Sequence, residues 1–459
     1  MAIESRNSTT YVFIPFCYED QASFKNLVRV FGNDPNWTLV HDEITYMLKY
    51  VADKIDSRDF EGCRCFHYML KDQARPPLGI PSPDLWCTMR EHTYGGKPEQ
   101  YRFLLQRIQV YCFSTAVGVL AFQVQFEKQD PLWLASAQYY LKKVSREKIY
   151  FADAESDSCE EKETTLFELA MRFLCNLNID LHFRLFFYSN PSTERANILT
   201  YLEMEKKDDY RYELYYLRRC YGEGFLYTED KELDAQEIHR PSQDIIWGIS
   251  PEAAVCLVCP GMGREQFLRS TFYKNFNAQY LFMYVLLLHQ KYVLYMFLTK
   301  IGIGEKNNLE ALEQYRQQLY EFETNFVFSC VTEVPQYQSL YERMSRAFAL
   351  EQMFKDVREP IVSLAEIRQN DLENQRRKRD GNVNKALFIL SLLSFFSALV
   401  DSFDFANAFF AWFLGADGVK TVQVICIVLI VAAVAYVFKN LLGPHEKKWM
   451  KKETRGTGK

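Results

Sequence analysis

The sequence lacks the marks of a catalyst. It has no HExxH, GxSxG, Walker A or GxGxxG pattern. Its seven histidines, His41, His67, His92, His182, His239, His289 and His445, are scattered and pair with no evident nucleophile. A protein that is not an enzyme is expected. Charge of one sign is also missing. The 54 Lys/Arg against 59 Asp/Glu, net −5, exclude a nucleic-acid binder held by bulk charge. The 12 cysteines have no regular spacing, and Met1–Thr10 has no apolar core of a signal peptide. Both absences predict a reducing compartment, in which the sequons at Asn7 and Asn36 are chance.

What is present is a large apolar fraction, 48 % of 459 residues, with 36 Phe and 29 Tyr. That suffices for thick packed layers and two or three structural units. Charge is unevenly placed. From Gly381 onward there are 9 Lys/Arg against 5 Asp/Glu, whereas the first 380 residues hold 45 against 54. A basic, apolar tail on an acidic body points to a membrane.

Ala386–Val400 runs fifteen residues without a charge and continues through Asp401 and Asp404 to Leu414. Val422–Phe438 is a second run, with Gln423 its only strongly polar member. With their flanks, each reaches the ~20 residues of a membrane span. Arg376–Arg379 and Lys385 precede the first, and Lys439, Lys447, Lys448, Lys451, Lys452 and Arg455 follow the second. The short connection carries Asp417 and only Lys420. The positive-inside rule therefore predicts a hairpin in the inner (cell) membrane with both termini cytoplasmic. At about 100° per residue, Ser391, Ser394, Ser397, Asp401, Ser402 and Asp404 fall on one arc of the first span. Polar groups are costly in hydrocarbon, so this stripe should face water or protein. A ring of copies would enclose a watery axis, with Asp residues attracting cations. A helix–helix contact through small serines is the alternative.

Residues 10 to about 260 predict an α/β domain with a mixed sheet. Tyr11–Phe16, Cys63–Tyr68, Ala196–Tyr201, Asp244–Trp247 and Ala253–Cys259 read as strands, and Arg107–Phe113 with Val117–Phe126 as a hairpin around Ser114–Thr115. Leu132–Val144 and Thr165–Asn176 have helical periodicity. The acidic run Asp153–Glu163 reads as a solvated loop. From Arg264 the chain reads helical. Tyr280–Leu298 is expected to be a buried core helix, because His289–Gln290–Lys291 interrupts it. Gln338–Lys385 reads as a stalk leading into the first span, kinked or reset at Pro360. The divisions are thus 1–263 (α/β domain), 264–385 (helical stalk region), 386–443 (transmembrane hairpin) and 444–459 (basic cytosolic tail).

Cys256-Leu-Val-Cys259 has the spacing of half a zinc site, but positions three apart in a strand point to opposite faces, so no metal site is expected. Pro260-Gly-Met-Gly-Arg264, ahead of a helix, suggests an anion nest, with Arg264, Arg269, Lys274, Asn275 and Asn277 as ligand-binding candidates.

This layout resembles the CorA-type cation channels: an α/β domain, a long helix entering a first span, a short loop, a second span and a lysine-plus-tryptophan tail, here Lys447-Lys448-Trp449-Met450-Lys451-Lys452. The resemblance implies a homo-oligomer in lipid, a pentamer as family members are, with Ser391, Ser394, Ser397, Asp401 and Asp404 lining the pore. The Gly-Met-Asn filter of the magnesium channels is missing. The matching region reads Val400-Asp401-Ser402-Phe403-Asp404-Phe405-Ala406-Asn407, so magnesium selectivity is not implied. A divergent chain without that filter is similar to the CorA-like effectors of type III CRISPR systems. That similarity implies gating by a nucleotide messenger, an adenylated S-adenosylmethionine (SAM-AMP), in antiviral defence, without direct nucleic-acid contact. The alternatives are a constitutive divalent metal-ion transporter and a membrane-anchored scaffold or enzyme.

Overall fold

The computed structural model of the chain describes residues 8–18, 21–41, 44–55, 62–152, 161–175, 184–185, 195–261, 263–302 and 309–442. Two compact units divide it, Met1–Glu366 and Ile367–Lys459.

The first unit is an α/β body built on one mixed sheet. Its strands are β1 (Ser8–Cys17), β2 (Trp37–Leu39), β3 (Cys65–Leu70), β4 (Trp86–Tyr94), β5 (Lys97–Phe113), β6 (Val117–Phe126), β7 (Ile149–Ala152), β8 (Glu161–Thr164), β9 (Arg184–Leu185), β10 (Asn197–Glu203), β11 (Ile238–Ser242), β12 (Ile245–Ile249) and β13 (Ala253–Val258). The spatial order is β11-β12-β13-β10-β1-β6-β5-β4-β7-β8, with β3 also on β5, β2 on β3 and β9 on β1. Among the described residues β10 and β13 are the parallel pair; the other pairings are antiparallel.

Alternation along β1 explains why both faces are covered. Val12, Ile14 and Phe16 enter one apolar cluster, with Phe103, Ile108, Leu120 and Phe122 and with Leu27, Trp133 and Leu169 from helices Gln21–Asn33, Pro131–Leu141 and Leu166–Cys175. Tyr11 and Phe13 enter another, with Tyr111, Val119, Tyr201 and Trp247 and helices Leu281–Gly302, Leu309–Phe326 and Pro335–Ala347. Side chains of period two thus feed two helical layers. Each large apolar side chain taken fully from water contributes about 1.5–3 kcal/mol. Local signals fix the ends. Asp130 accepts from Trp133 N at 2.9 Å, and Pro131 opens that helix.

Glu265–Thr299 is long and apolar enough to cross a membrane by length and composition, yet 83 % of its most apolar window is buried inside the body. The polar interruption is satisfied there. His289 shares a 2.6 Å hydrogen bond with Thr115 Oγ1, Gln290 donates to Phe326 O and to Tyr341 Oη, and Lys291 donates to Pro251 O at 3.0 Å.

One expectation for the C-terminal part meets a different structure. The stalk breaks at Ala349, with φ of 54°, and not at Pro360. The helix Leu350–Leu442 runs through Pro360. Phe348, buried against Tyr284 at 5.7 Å, holds the chain in that left-handed turn. The expected hairpin over 386–443 is not shown: the described backbone stays helical to Leu442. Between Pro360 and Pro444 no proline intervenes, and a glycine such as Gly415 or Gly418 costs a helix only about 1 kcal/mol. Residues 444–459, the basic tail, lie outside the described residues, as does 153–160 of the acidic run. The end of that run forms β8.

Candidate functional site

The loop before Arg264 does not gather its candidates around an anion. Gly263 takes a positive φ of 85°, but Met262 lies outside the described residues. Arg264 spends its charge on Asp244 at 2.8 Å, and Arg269 on Glu203 at 3.1 Å. Asn277 Oδ1 accepts from Tyr11 Oη at 2.7 Å, and its Nδ2 donates to Tyr273 O at 3.0 Å. That second bond lies between two π-helical turns, Leu268–Phe272 and Phe276–Tyr280, and gives an acceptor in a widened turn a partner. Tyr273 Oη lies 2.7 Å from Thr9 Oγ1. The segment is stitched to β1. Lys274 is exposed and Asn275 half-buried.

The pore-lining candidates share one helix. Ser391, Ser394 and Ser397 are exposed on Leu350–Leu442, and Asp401 and Asp404 are helical positions further along it whose side chains lie outside the described residues. Around the serines the apolar residues are exposed too. Leu387, Ile389, Leu390, Leu393 and Phe395 keep 50–60 % of their surface, and Val424, Ile425, Ile427, Val428 and Val431 52–61 %.

Cys256 and Cys259 belong to the clusters on opposite faces of the sheet. Burial pushes both thiols up. No His/Cys/Asp/Glu group suited to a metal occurs among the described residues.

The body has a different concave site. A cavity of about 500 Å³ is lined by Phe24, Lys25, Val28, Arg29, Gly32, Asn33, Cys63, Arg64 and Phe66. A second, of about 370 Å³, shares Phe24, Lys25 and Arg64 and adds Ser114, Thr115, Glu321, Asn325 and Phe326. The walls follow from local sequence. The amphipathic Gln21–Asn33 helix turns Leu27, Val28 and Phe31 inward and leaves Lys25, Arg29 and Gly32 outside. Strand β3 begins one residue after Arg64. The β5–β6 turn offers Ser114 and Thr115, with Ala116 at φ 65°. Lys54 donates to Thr324 O, which ties the far wall to the Lys49–Ile55 helix. Its ammonium is held below its ordinary value, by partial burial first and by Arg64's charge second. Behind Thr115, burial keeps the His289 imidazole neutral, well below its ordinary value. It stacks on Phe113 at 3.8 Å, and its Nδ1 has no hydrogen-bond partner among the described residues.

Sequence reasoning passed over this groove, although half of it was visible. Lys25 and Arg29 stand one turn apart on a helix segment with no acidic residue, inside an acidic body. Arg64 and Thr115 join them only through the fold. No family model matches the chain, and comparison with curated proteins and with solved structures gives no match.

Proposed function

We propose that the chain is a CorA-like, homo-oligomeric ion channel of the inner membrane, gated by a ligand of its cytosolic α/β body. One observation carries this reading: the C-terminal helix leaves a long series of Leu, Ile, Val and Phe uncovered while setting a serine stripe along one side. In water that surface is costly; in lipid it is the requirement for spanning. Residues 386–438, drawn out as one helix, would measure about 80 Å, against a hydrocarbon layer of about 30 Å. In the membrane the chain therefore folds back near Gly415–Gly418 into two spans. Ser391, Ser394, Ser397, Asp401 and Asp404 then line an axis shared by several copies, a pentamer in this reading. The ligand is a nucleotide messenger such as SAM-AMP, and the setting is type III CRISPR defence. To move the pore from 1:99 to 99:1 open, ligands must favour one state by ~5.5 kcal/mol in total, about 1 kcal/mol per site if five share it.

Ion flux from liposomes holding the purified chain tests this. Replacing the three serines with leucine, or Asp401 and Asp404 with alanine, is expected to change conductance and spare ligand binding. Unchanged flux in both variants contradicts the pore. Full flux without ligand makes the chain a constitutive transporter of divalent metal ions.

A further inference from the structure

We propose that the groove between the Gln21–Asn33 helix, Arg64 and the Ser114–Thr115 turn binds a ligand carrying phosphate on an apolar, planar body. The site supplies the place that the gated-channel reading leaves open. It rests on that reading for its consequence, and on the body alone for its binding.

The charges point to this ligand. Lys25, Arg29 and Arg64 are exposed and have no ion-pair partner among the described residues. Several other exposed cations of the body are matched: Lys49 to Asp53, Arg102 to Glu127, Lys128 to Glu99, Lys148 to Glu163. Lys25 and Arg29 are four residues apart on one helix, where like charges destabilise by about 0.2–0.5 kcal/mol. Arg64 adds a third cation, near enough to Lys54 to depress its ammonium. Among the described residues no carboxylate lines the larger cavity, and Glu321 lines the smaller one beside Lys25 and Arg64. Two guanidinium groups and an ammonium suit a phosphate, which guanidinium grips through paired N–H donors.

Space and lining supply the rest. The two cavities share Phe24, Lys25 and Arg64, and their size is that of small-molecule pockets, about 300–1,000 Å³. Phe24, Val28, Cys63 and Phe66 give the larger one an apolar floor for a flat ring. Ser114, Thr115 and Asn325 give the smaller one hydroxyl and amide groups. Gly32 faces open space in the larger cavity: a Cβ there would meet nothing within 4 Å.

The phosphate has two conceivable sources, a soluble nucleotide-like molecule or a lipid headgroup, and the test separates them. The full chain in detergent is titrated calorimetrically with ATP and with inorganic pyrophosphate. Binding is expected, and the Arg29→Gln/Arg64→Gln double variant is expected to weaken it by at least about tenfold, or 1.4 kcal/mol. Gly32→Leu, which fills the cavity and spares every charge, is expected to weaken ATP more than pyrophosphate. Arg269→Gln, outside the groove, leaves both unchanged. Unaltered melting temperatures establish that the variants are folded. Displacement of ATP by short-chain phosphatidylglycerol supports the site and assigns its phosphate to lipid; lack of displacement supports a soluble ligand. Equal affinity in the wild type and the double variant, or no binding of either probe at about 1 mM, overturns the site. Flux is not read in this titration, so its failure removes the groove and leaves the pore to its own experiment.

Discussion

The same residue types meet opposite fates in the two units. In the body, Val12, Phe13, Leu120, Tyr201 and Trp247 are completely or almost completely buried. In the second unit, Leu390, Leu393, Val428 and Val431 keep about three-fifths of their surface. The body satisfies itself: each face of its sheet finds a helical layer. The C-terminal helix is apolar over long stretches with only a narrow polar stripe, a pattern that needs another solvent or other copies of itself to cover it. Covered and uncovered apolar surface therefore separate along the chain, and substitutions sort accordingly.

The largest contrast is expected between Trp247→Ala and Leu393→Ala. Trp247 is fully buried against Phe276 and Tyr280. Its truncation is expected to cost the body about 3–5 kcal/mol in chemical denaturation. Leu393→Ala is expected to move the same transition by less than about 0.5 kcal/mol. Comparable losses would show that the two units fold as one and break the contrast.

Lys291 gives the body a pH signature. Burial first lowers its ammonium to about 8, with Glu252 opposing. Below pH 8 the folded and unfolded chains both carry this proton. Between about 8 and the ordinary lysine value near 10.4 only the unfolded chain keeps it, so this residue's contribution rises with pH. The difference between wild type and Lys291→Met is expected to grow in favour of the wild type by on the order of 2–3 kcal/mol across that window. A flat or falling difference contradicts the buried placement.

Gly118 sharpens the packing side of the contrast. It pairs with Phe16 across β1 and β6, and a Cβ on it would lie 2.2 Å from the Phe16 ring. Gly118→Val is expected to cost about 1–3 kcal/mol through forced displacement of that ring. Gly32→Ala, open to solvent, is expected to be neutral or slightly stabilising, by up to about 1 kcal/mol. Destabilisation by Gly32→Ala would mean that its space is occupied.

Much of the body was legible in sequence. β1, the β5–β6 hairpin, β10, β12 and β13 follow from β-branched and aromatic runs, and the buried character of Tyr280–Leu298 from its polar interruption. β4 and the first half of β5 were not read, because Arg90, Glu91, Glu99, Arg102 and Gln106 mask the alternation of a sheet flank. A signal was there: Gly95 and Gly96, at φ 60° and 73°, form the two-residue turn of that hairpin. The break at Ala349 was illegible, since alanine is the best helix former and the turn is set by the distant packing of Phe348. The anion candidates at Arg264 and Arg269 failed to converge because Asp244 and Glu203, far back in the chain, reach them first. The groove was half legible, through Lys25 and Arg29, and the rest is tertiary.

The central claim is that the serine side of the C-terminal helix looks onto water shared among copies while its opposite side meets lipid. Spin labels at Ser394 and at Leu392, in the chain reconstituted into bilayers, test it directly. The label at Ser394 is expected to be reached by a water-soluble nickel relaxant and the label at Leu392 by oxygen dissolved in the lipid. Oxygen access at Ser394, equal to or greater than that at Leu392, would contradict it.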